Sequence, residues 1–267
     1  MFEVRPEVIA TPALKLSFHV APWDRPAFGA DTAVLSEIEI IDPDAARRDF
    51  RRFRTWCRRR GIALVACRLD QARLDALAFL EGQGFRFIEL NYRPHRTALE
   101  DFTPDPAIAM QAAAPQDRAT LAAIAGRIFA AGRLQVDPMI DSRIGDRRYA
   151  MWASNAFDNP AQSVVKCLLD GELAAFLVIE APSPAERFWS LVGLVPAFAG
   201  RGIGRKIWKH VLACHHREGV ARVSTSISSH NTAVHNLYVG LGFRFSAPTV
   251  TLHWCPGGPV ADRAGAA

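Results

Sequence analysis

Apolar and polar residues alternate between Thr32 and Ile41, the period of a half-buried strand. Asp42-Pro43-Asp44 then opens a helix expected to reach about Arg60, with proline in its first turn and acids at its positive end. Phe50, Phe53 and Trp56 or Cys57 recur at helical spacing, while eight arginines between Arg47 and Arg60 fill the other face. Gly61 ends that helix. A short strand (Ile62 to Cys67), a helix (Leu69 to Gln83) and another strand (Phe85 to Tyr92) follow. Pro94 to Pro106 reads as a linker, and the residues ahead of Thr32 read as irregular.

The pattern then restarts. A strand near Ile108 to Ala112 precedes a helix from about Gln116 to Ala131, stopped at Gly132. A helix is expected from about Gly145 to Phe157. Val164 to Leu169 and Leu173 to Glu180 form a hairpin across Asp170-Gly171, with a third strand at Phe188 to Val195. Gly200-Arg-Gly-Ile-Gly204 opens a helix to about Arg217. A strand (Ala221 to Ile227), a helix (Asn231 to Gly240) and a strand (Phe243 to Trp254) close the fold. The Gly/Ala-rich stretch Pro256 to Ala267 is expected to be a disordered tail.

The two stretches are related. Sliding residues 61–87 forward by 158 positions aligns Gly61, Ala63, Val65, Gly82, Gly84, Phe85, Arg86 and Phe87 with Gly219, Ala221, Val223, Gly240, Gly242, Phe243, Arg244 and Phe245. A duplicated half-domain explains this better than shared strand-helix-strand patterning. The copies differ where it matters: no glycine loop precedes the Asp44 helix, and Arg73 and Leu80 stand where the second copy has Asn231 and Tyr238.

Composition narrows the class. The chain of 267 residues is 49% hydrophobic and 22% charged, an ordinary globular balance. It has no apolar run near the roughly 18–20 residues that span a bilayer and no secretion-signal pattern at Met1, so a cytoplasmic protein is expected. Five scattered cysteines without a Cys-x-x-Cys pair argue against a disulfide framework or a metal site. The net charge of +5 rests on arginine, which makes up all but four of the 32 basic residues. Codon bias explains that skew most simply; the functional reading is an affinity for phosphate-bearing ligands, whose oxygens match guanidinium forks. Nucleic-acid binding through the Arg47–Arg60 helix is the non-enzymatic alternative, weakened because its aromatic residues look like a buried face.

Gly200-Arg-Gly-Ile-Gly204 lies between an apolar strand and an amphipathic helix, where glycines let backbone N–H groups turn inward on an anion. The next strand carries Ser224, Thr225, Ser226 and Ser228 rather than the acid a dinucleotide site needs. Ser229-His-Asn-Thr-Ala-Val-His-Asn-Leu-Tyr-Val-Gly-Leu-Gly-Phe243, together with Val195-Pro196 and the glycine loop, resembles the GCN5-related N-acetyltransferase (GNAT) family over about residues 160–255.

The resemblance implies an α/β (α+β) fold: a mixed central sheet flanked by helices, preceded by a truncated GNAT-like N-terminal half. It implies acetyl-CoA as co-substrate and no metal. Cofactor contacts are expected at Leu194, Val195, Gly200, Arg201, Gly202, Ile203, Gly204, Arg205 and Asn231, with a backbone N–H near Val195 on the thioester oxygen. Ala199 departs from the family, which has Arg or Gln there, so loop amides and Arg201 or Arg205 must hold the pyrophosphate. Tyr238 is the family's proton donor to the leaving thiolate; flanked by Leu237 and Leu241, it also fits a core aromatic.

Gly84-Phe-Arg-Phe-Ile-Glu89, Ala130 to Pro138 and Arg148-Tyr-Ala-Met-Trp152 resemble the branch that acetylates nucleotide-linked amino sugars, such as dTDP-fucosamine acetyltransferases. That resemblance implies Glu89 as the base for the amine, with a surface carboxylate as the alternative. It implies Arg133 and Arg148 on a diphosphate, and Asp137 as a loop cap or reserve base. Tyr149 and Trp152 could stack on a sugar or base, or simply pack. The expected partner is a small-molecule amine, most simply a sugar nucleotide, with a peptide, antibiotic or other small amine as alternative. No membrane partner is expected, and homodimerisation stays open. The domains are expected at 1–100, shaping the acceptor cleft, and 101–255, the catalytic domain.

Overall fold

The computed structural model describes residues 4–262. The chain divides into two compact units that are not contiguous in sequence. One comprises residues up to Asn91, Gly132–Arg148 and the chain from Ala247; the other comprises Tyr92–Ala131 and Tyr149–Ser246. The expected boundary near residue 100 thus gives way to an interleaved division.

In the first unit the strands run in the order Glu7–Ala10, Leu14–Val20, Thr32–Ile40, Leu64–Asp70, Thr249–Trp254, Arg86–Tyr92. Thr32–Leu35 pair in parallel with Leu64–Cys67; the other pairings are antiparallel. The first two strands fall where an irregular start was expected. Leu14, Leu16 and Phe18 alternate inward there, a period short enough to be masked by Pro12 and Pro22. The expected arginine-rich helix is two helices, Pro43–Asp49 and Arg51–Arg60, meeting at Phe50; Asp42 caps the first by accepting the N–H groups of Asp44 and Ala45. Phe50, Phe53 and Cys57 enter the core with Phe18, Phe79 and Leu252, leaving the arginines outside.

In the second unit the order is His95–Arg96, Arg222–Thr225, Glu186–Leu194, Glu172–Ser183, Gln162–Leu169, Ile108–Ala112. The expected hairpin is present, with Asp170 at φ 51° in its turn. The helices Arg118–Ile128, Ile203–Arg217 and Thr232–Gly240 bury one face each. Trp189, Ile207, Trp208, Val211, Tyr238 and Phe243 form the main core.

The copies exchange a strand. The expected last strand of the second copy begins only at Thr249, and it pairs with Leu64–Asp70 and Arg86–Tyr92 of the first. The expected linker supplies His95–Arg96 at the equivalent place beside Arg222–Thr225. Repeat glycines keep the same backbone: Gly61 and Gly219 at φ 63° and 80°, Gly84 and Gly242 at 88° and 72°. A Cβ on Gly84 would face Trp254, and one on Gly242 would strike Arg96.

The expected disordered tail is ordered as far as Asp262. Val260 bridges Ile140, and Asp262 pairs with Arg147 at 2.7 Å and Arg143 at 3.6 Å. The rest of that tail lies outside the described residues.

Candidate active site

In the second unit, Glu186–Trp189 pair in parallel with Arg222–Thr225, and that pairing stops there. On its other side the same strand stays paired to Leu194, and the Val195 N–H continues that ladder to the Ala174 carbonyl at 2.8 Å. The strand therefore keeps one neighbour and leaves the other edge open from about Ser190. Antiparallel pairing alternates its hydrogen bonds, so with Val195 and Gly193 facing Ala174 and Phe176, the N–H groups of Val192 and Leu194 face the open edge. The Val195 N–H itself is taken by the Ala174 carbonyl. Leu194, from the same expected set, has the free orientation.

The loop beyond is built for left-handed backbone. Gly200 and Gly202 have φ of 73° and 72°, and a Cβ on either would meet nothing within 4 Å, so conformation rather than crowding requires glycine. Gly202 caps the helix Ile203–Arg217, and among the described residues the N–H groups from Gly200 to Gly204 donate to no protein acceptor. Free amides at a helix N-terminus suit a phosphate. Arg201 is exposed beside them. Arg205 is turned away: its Nη2 donates to the Gly240 carbonyl at 3.0 Å, at the end of the next helix.

That helix, Thr232–Gly240, begins at Asn231, whose Oδ1 accepts the Val234 N–H at 3.1 Å. Asn231, expected as a cofactor contact, thus caps its own helix. A Cβ on Gly204 would lie 3.6 Å from Leu194 and 4.0 Å from Leu237, so loop, open strand and this helix meet at one place. Tyr238 follows Leu237 and is fully buried, with Trp189 and Phe243 around its ring. Its hydroxyl accepts the Trp208 indole N–H at 3.1 Å and lies against Thr225. Burial raises its pKa above the ordinary phenol value, Trp208 and Thr225 opposing part of the rise, so it stays protonated at neutral pH. Phe129, Tyr149 and Trp152 stack in series, which is the packing alternative for the last two.

The remaining expected residues gather in the first unit, on the sheet face opposite its aromatic core. Thr249–Trp254 alternates: Val250 and Leu252 enter the apolar core, while Thr251 and His253 point to the other face. Glu89 is buried beside them, accepting from Thr251 Oγ1 and Arg68 Nη2, each at 3.3 Å. It is therefore not the surface carboxylate of the alternative reading.

Asp137 is fully buried and orders its loop by accepting the Met139 N–H at 2.9 Å. It also takes Arg86 Nη2 at 3.1 Å and His253 Nδ1 at 2.8 Å. Arg133 Nη1 lies 2.7 Å from His253 Nε2. A guanidinium only donates, so Nε2 accepts and the proton sits on Nδ1, toward Asp137. Burial pushes the His253 pKa down to about 4, with Arg133 and Arg86 adding to the fall against Asp137, so the ring is neutral. Burial and the neighbouring Arg148 lower Arg133 to about 10, Asp24 opposing, which leaves it charged at neutral pH. Asp24, itself buried, pairs with Arg148 at 2.5 Å and Arg133 at 3.8 Å.

The sequence reading missed His253, Thr251, Arg68, Arg86 and Asp24. The Thr-x-Thr-x-His alternation was visible, but not the sheet that receives that strand. Among the described residues no group of three or more His, Cys, Asp or Glu is placed to hold a metal ion, and no helix is long and apolar enough to cross a membrane.

Residues 121–243 match the model of the acetyltransferase (GNAT) family. Among solved structures, a GCN5-related N-acetyltransferase from Sphaerobacter thermophilus aligns with TM-score 0.64 and 15% identity, covering 94% of this chain and 82% of that one. A tandem GNAT protein from the clavulanic acid biosynthesis pathway aligns at 0.57 and 14%, covering 92% and 79%. A fungal glucosamine N-acetyltransferase region within a multi-domain β-N-acetylglucosaminidase aligns at 0.58 and 14%, covering 91% of this chain and 31% of that one. No curated protein matches the chain. The fold is the GNAT fold, in two related halves.

Proposed function

From the match of residues 121–243 to the GNAT acetyltransferase family, we propose that the chain is an acyltransferase that carries out the following reaction. The second unit moves the acetyl group of acetyl-CoA to a primary amine by direct attack in a ternary complex, and the amine belongs to a nucleotide-linked amino sugar. The observation that carries the reading is the open strand edge at Val192 and Leu194 running into a loop of free amides.

Pantetheine, an amide chain, matches an open strand edge, and the pyrophosphate matches the amides of Gly200 to Gly204. With Ala199 offering no side-chain donor, those amides and the exposed Arg201 hold the phosphates. The Leu194 N–H is the donor assigned to the thioester oxygen, where negative charge develops as the amine attacks. The carbon–nitrogen bond forms, the carbon–sulfur bond breaks, and the leaving thiolate takes a proton from the Tyr238 hydroxyl. A phenol kept protonated by burial performs that step without a titration near neutrality. In the first unit Glu89 is the group assigned to the proton that the amine sheds, directly or through water.

The amino-sugar assignment rests on the sequence resemblance and on the arginines of the first unit, and a neighbour of the same fold is described as a glucosamine N-acetyltransferase. Arg133, Arg148 and Asp137 are the acceptor-side residues of this reading. Thiol release from acetyl-CoA, measured across aminosugar nucleotides, aminoglycosides and peptides, tests it. Turnover is expected on an aminosugar nucleotide. Turnover confined to aminoglycosides or peptides overturns the acceptor and keeps the chemistry; none on any amine overturns both.

A further inference from the structure

The Tyr238 hydroxyl belongs to a hydrogen-bond chain whose proton directions are fixed. Its oxygen accepts the Trp208 indole N–H at 3.1 Å, and its other neighbour is the Thr225 hydroxyl. Thr225 Oγ1 donates to the Trp189 carbonyl at 2.8 Å, and a hydroxyl has one proton to give. Toward Tyr238 the Thr225 oxygen therefore accepts, and the phenol proton points at it. Tyr238, Trp208, Thr225 and Trp189 are all buried, so solvent does not compete for these bonds. The chain also has a definite place in the fold. Trp189 and Thr225 are the last residues of the parallel pair, so this hydroxyl ties down the carbonyl at the fork where the open edge starts.

The first half supplies the contrast. Leu35 and Cys67 are the last pair at its own fork, and Cys67 precedes Thr225 by the same 158 positions that separate Leu80 from Tyr238. A buried thiol and a buried alkyl group thus stand where the second half has its two hydroxyls. The hydroxyls occur together in the half with the open edge and are absent together from the half whose edge Arg73 occupies.

We propose that Thr225 and Trp208 are positioning residues for the proton transfer from Tyr238: Trp208 holds the phenol oxygen, and the Thr225 hydroxyl turns from the Trp189 carbonyl to the phenolate as the proton leaves. The inference rests on the acetyltransferase reading and deepens its acid step. As the carbon–sulfur bond breaks, the phenol O–H turns to the sulfur and its proton passes to the thiolate. The negative charge is left on the phenol oxygen, where an apolar core without donors would not tolerate it. Two donors serve it: the Trp208 N–H throughout, and the Thr225 O–H once turned. After CoA leaves, a proton from water restores the phenol, balancing the one that the amine sheds.

The test replaces the three tyrosines of the full chain with difluorotyrosine, whose phenol ionises at lower pH, and follows each by fluorine NMR. The Tyr238 line is the one lost in Tyr238→Phe. Thr225→Val and Trp208→Phe should each lower the ionisation constant of that phenol by about 3- to 10-fold, the gap between a charge-assisted and a neutral hydrogen bond. Thr225→Ser, which keeps the hydroxyl, should stay within about twofold of wild type. In thiol release from acetyl-CoA with the fastest amine of the panel above, Thr225→Val should lower kcat by about 3- to 10-fold at an unchanged KM for acetyl-CoA. It should add nothing in a Tyr238→Phe background. An ionisation constant equal in wild type and Thr225→Val overturns the proposal. So does a loss of kcat that persists in the Tyr238→Phe background, which marks a structural residue. Tyr238→Phe with the kcat of wild type overturns the acid reading itself, whatever the ionisation of the phenol.

Discussion

The two halves share a strand–helix–strand repeat and differ in what fills the open strand edge. In each, a parallel pair runs for four residues and then stops: Thr32–Leu35 against Leu64–Cys67, and Glu186–Trp189 against Arg222–Thr225. In the first half the guanidinium of Arg73 donates to the Ile38 carbonyl at 3.0 Å, just past that divergence. Asn231, its counterpart in the repeat, turns its side chain into its own helix and leaves the edge of Ser190–Leu194 open. The loops diverge likewise. Asp42 caps its helix and so occupies the donors that an anion would need, whereas Gly202 brings none of its own. Leu80 and Tyr238, both buried, complete the contrast. The duplicated architecture thus carries different side chains at three matched positions, and in the second half they leave the strand edge and the loop amides open.

Breaking the second half should have the largest effect. Tyr238→Phe is expected to lower kcat by about 10- to 1,000-fold, the span of a lost general acid, with the KM for acetyl-CoA little changed. It also strands the Trp208 indole N–H, costing about 1–3 kcal/mol. A lower melting temperature with unaltered kcat would assign Tyr238 to the core alone.

Next, Gly202→Val forces a β-branched residue to φ 72° and misaligns the loop amides. Acetyl-CoA affinity should fall by about 100-fold, equivalent to one or two charge-assisted hydrogen bonds. Asp42→Ala, at the matching loop of the first half, should leave that affinity unchanged and cost about 1 kcal/mol of stability as a lost cap.

The first half should show itself in pH dependence. His253 has a folded pKa of about 4, below its unfolded value near 6.5, so as pH falls the unfolded chain takes the proton first. Its contribution is complete above pH 6.5 and is lost on the way down to pH 4, up to roughly 3 kcal/mol. His253→Gln should therefore flatten, without abolishing, the fall in melting temperature over that range, because His210 and His215 are lowered by burial too. An unchanged slope would remove His253 from the account. The smallest effect is expected for Arg73→Ala, about 1 kcal/mol for the hydrogen bond to Ile38.

The second half was the more legible in sequence, because its chemistry is local. Glycines at positive φ and a helix start lie within a few residues of one another, Asn231 caps the next helix within its own first turn, and physics links those residue types to those conformations. The repeat itself was visible through Gly84 and Gly242, which hold equivalent left-handed turns. What stayed hidden is long-range. Which sheet receives Thr249–Trp254 depends on pairing with strands about 160–190 residues away in sequence. Which N–H near Val195 faces the open edge depends on the pairing of Val195 with Ala174, about 20 residues earlier in the chain. Arg133 and Arg148 were singled out from a motif, while His253, which bonds Arg133, lay 120 positions on.

Calorimetric titration of CoA into the full chain tests the contrast between the halves most directly. One site per chain is predicted, weakened by Gly202→Val and untouched by Arg73→Ala. Two sites per chain, or a single site lost in Arg73→Ala and retained in Gly202→Val, would contradict it.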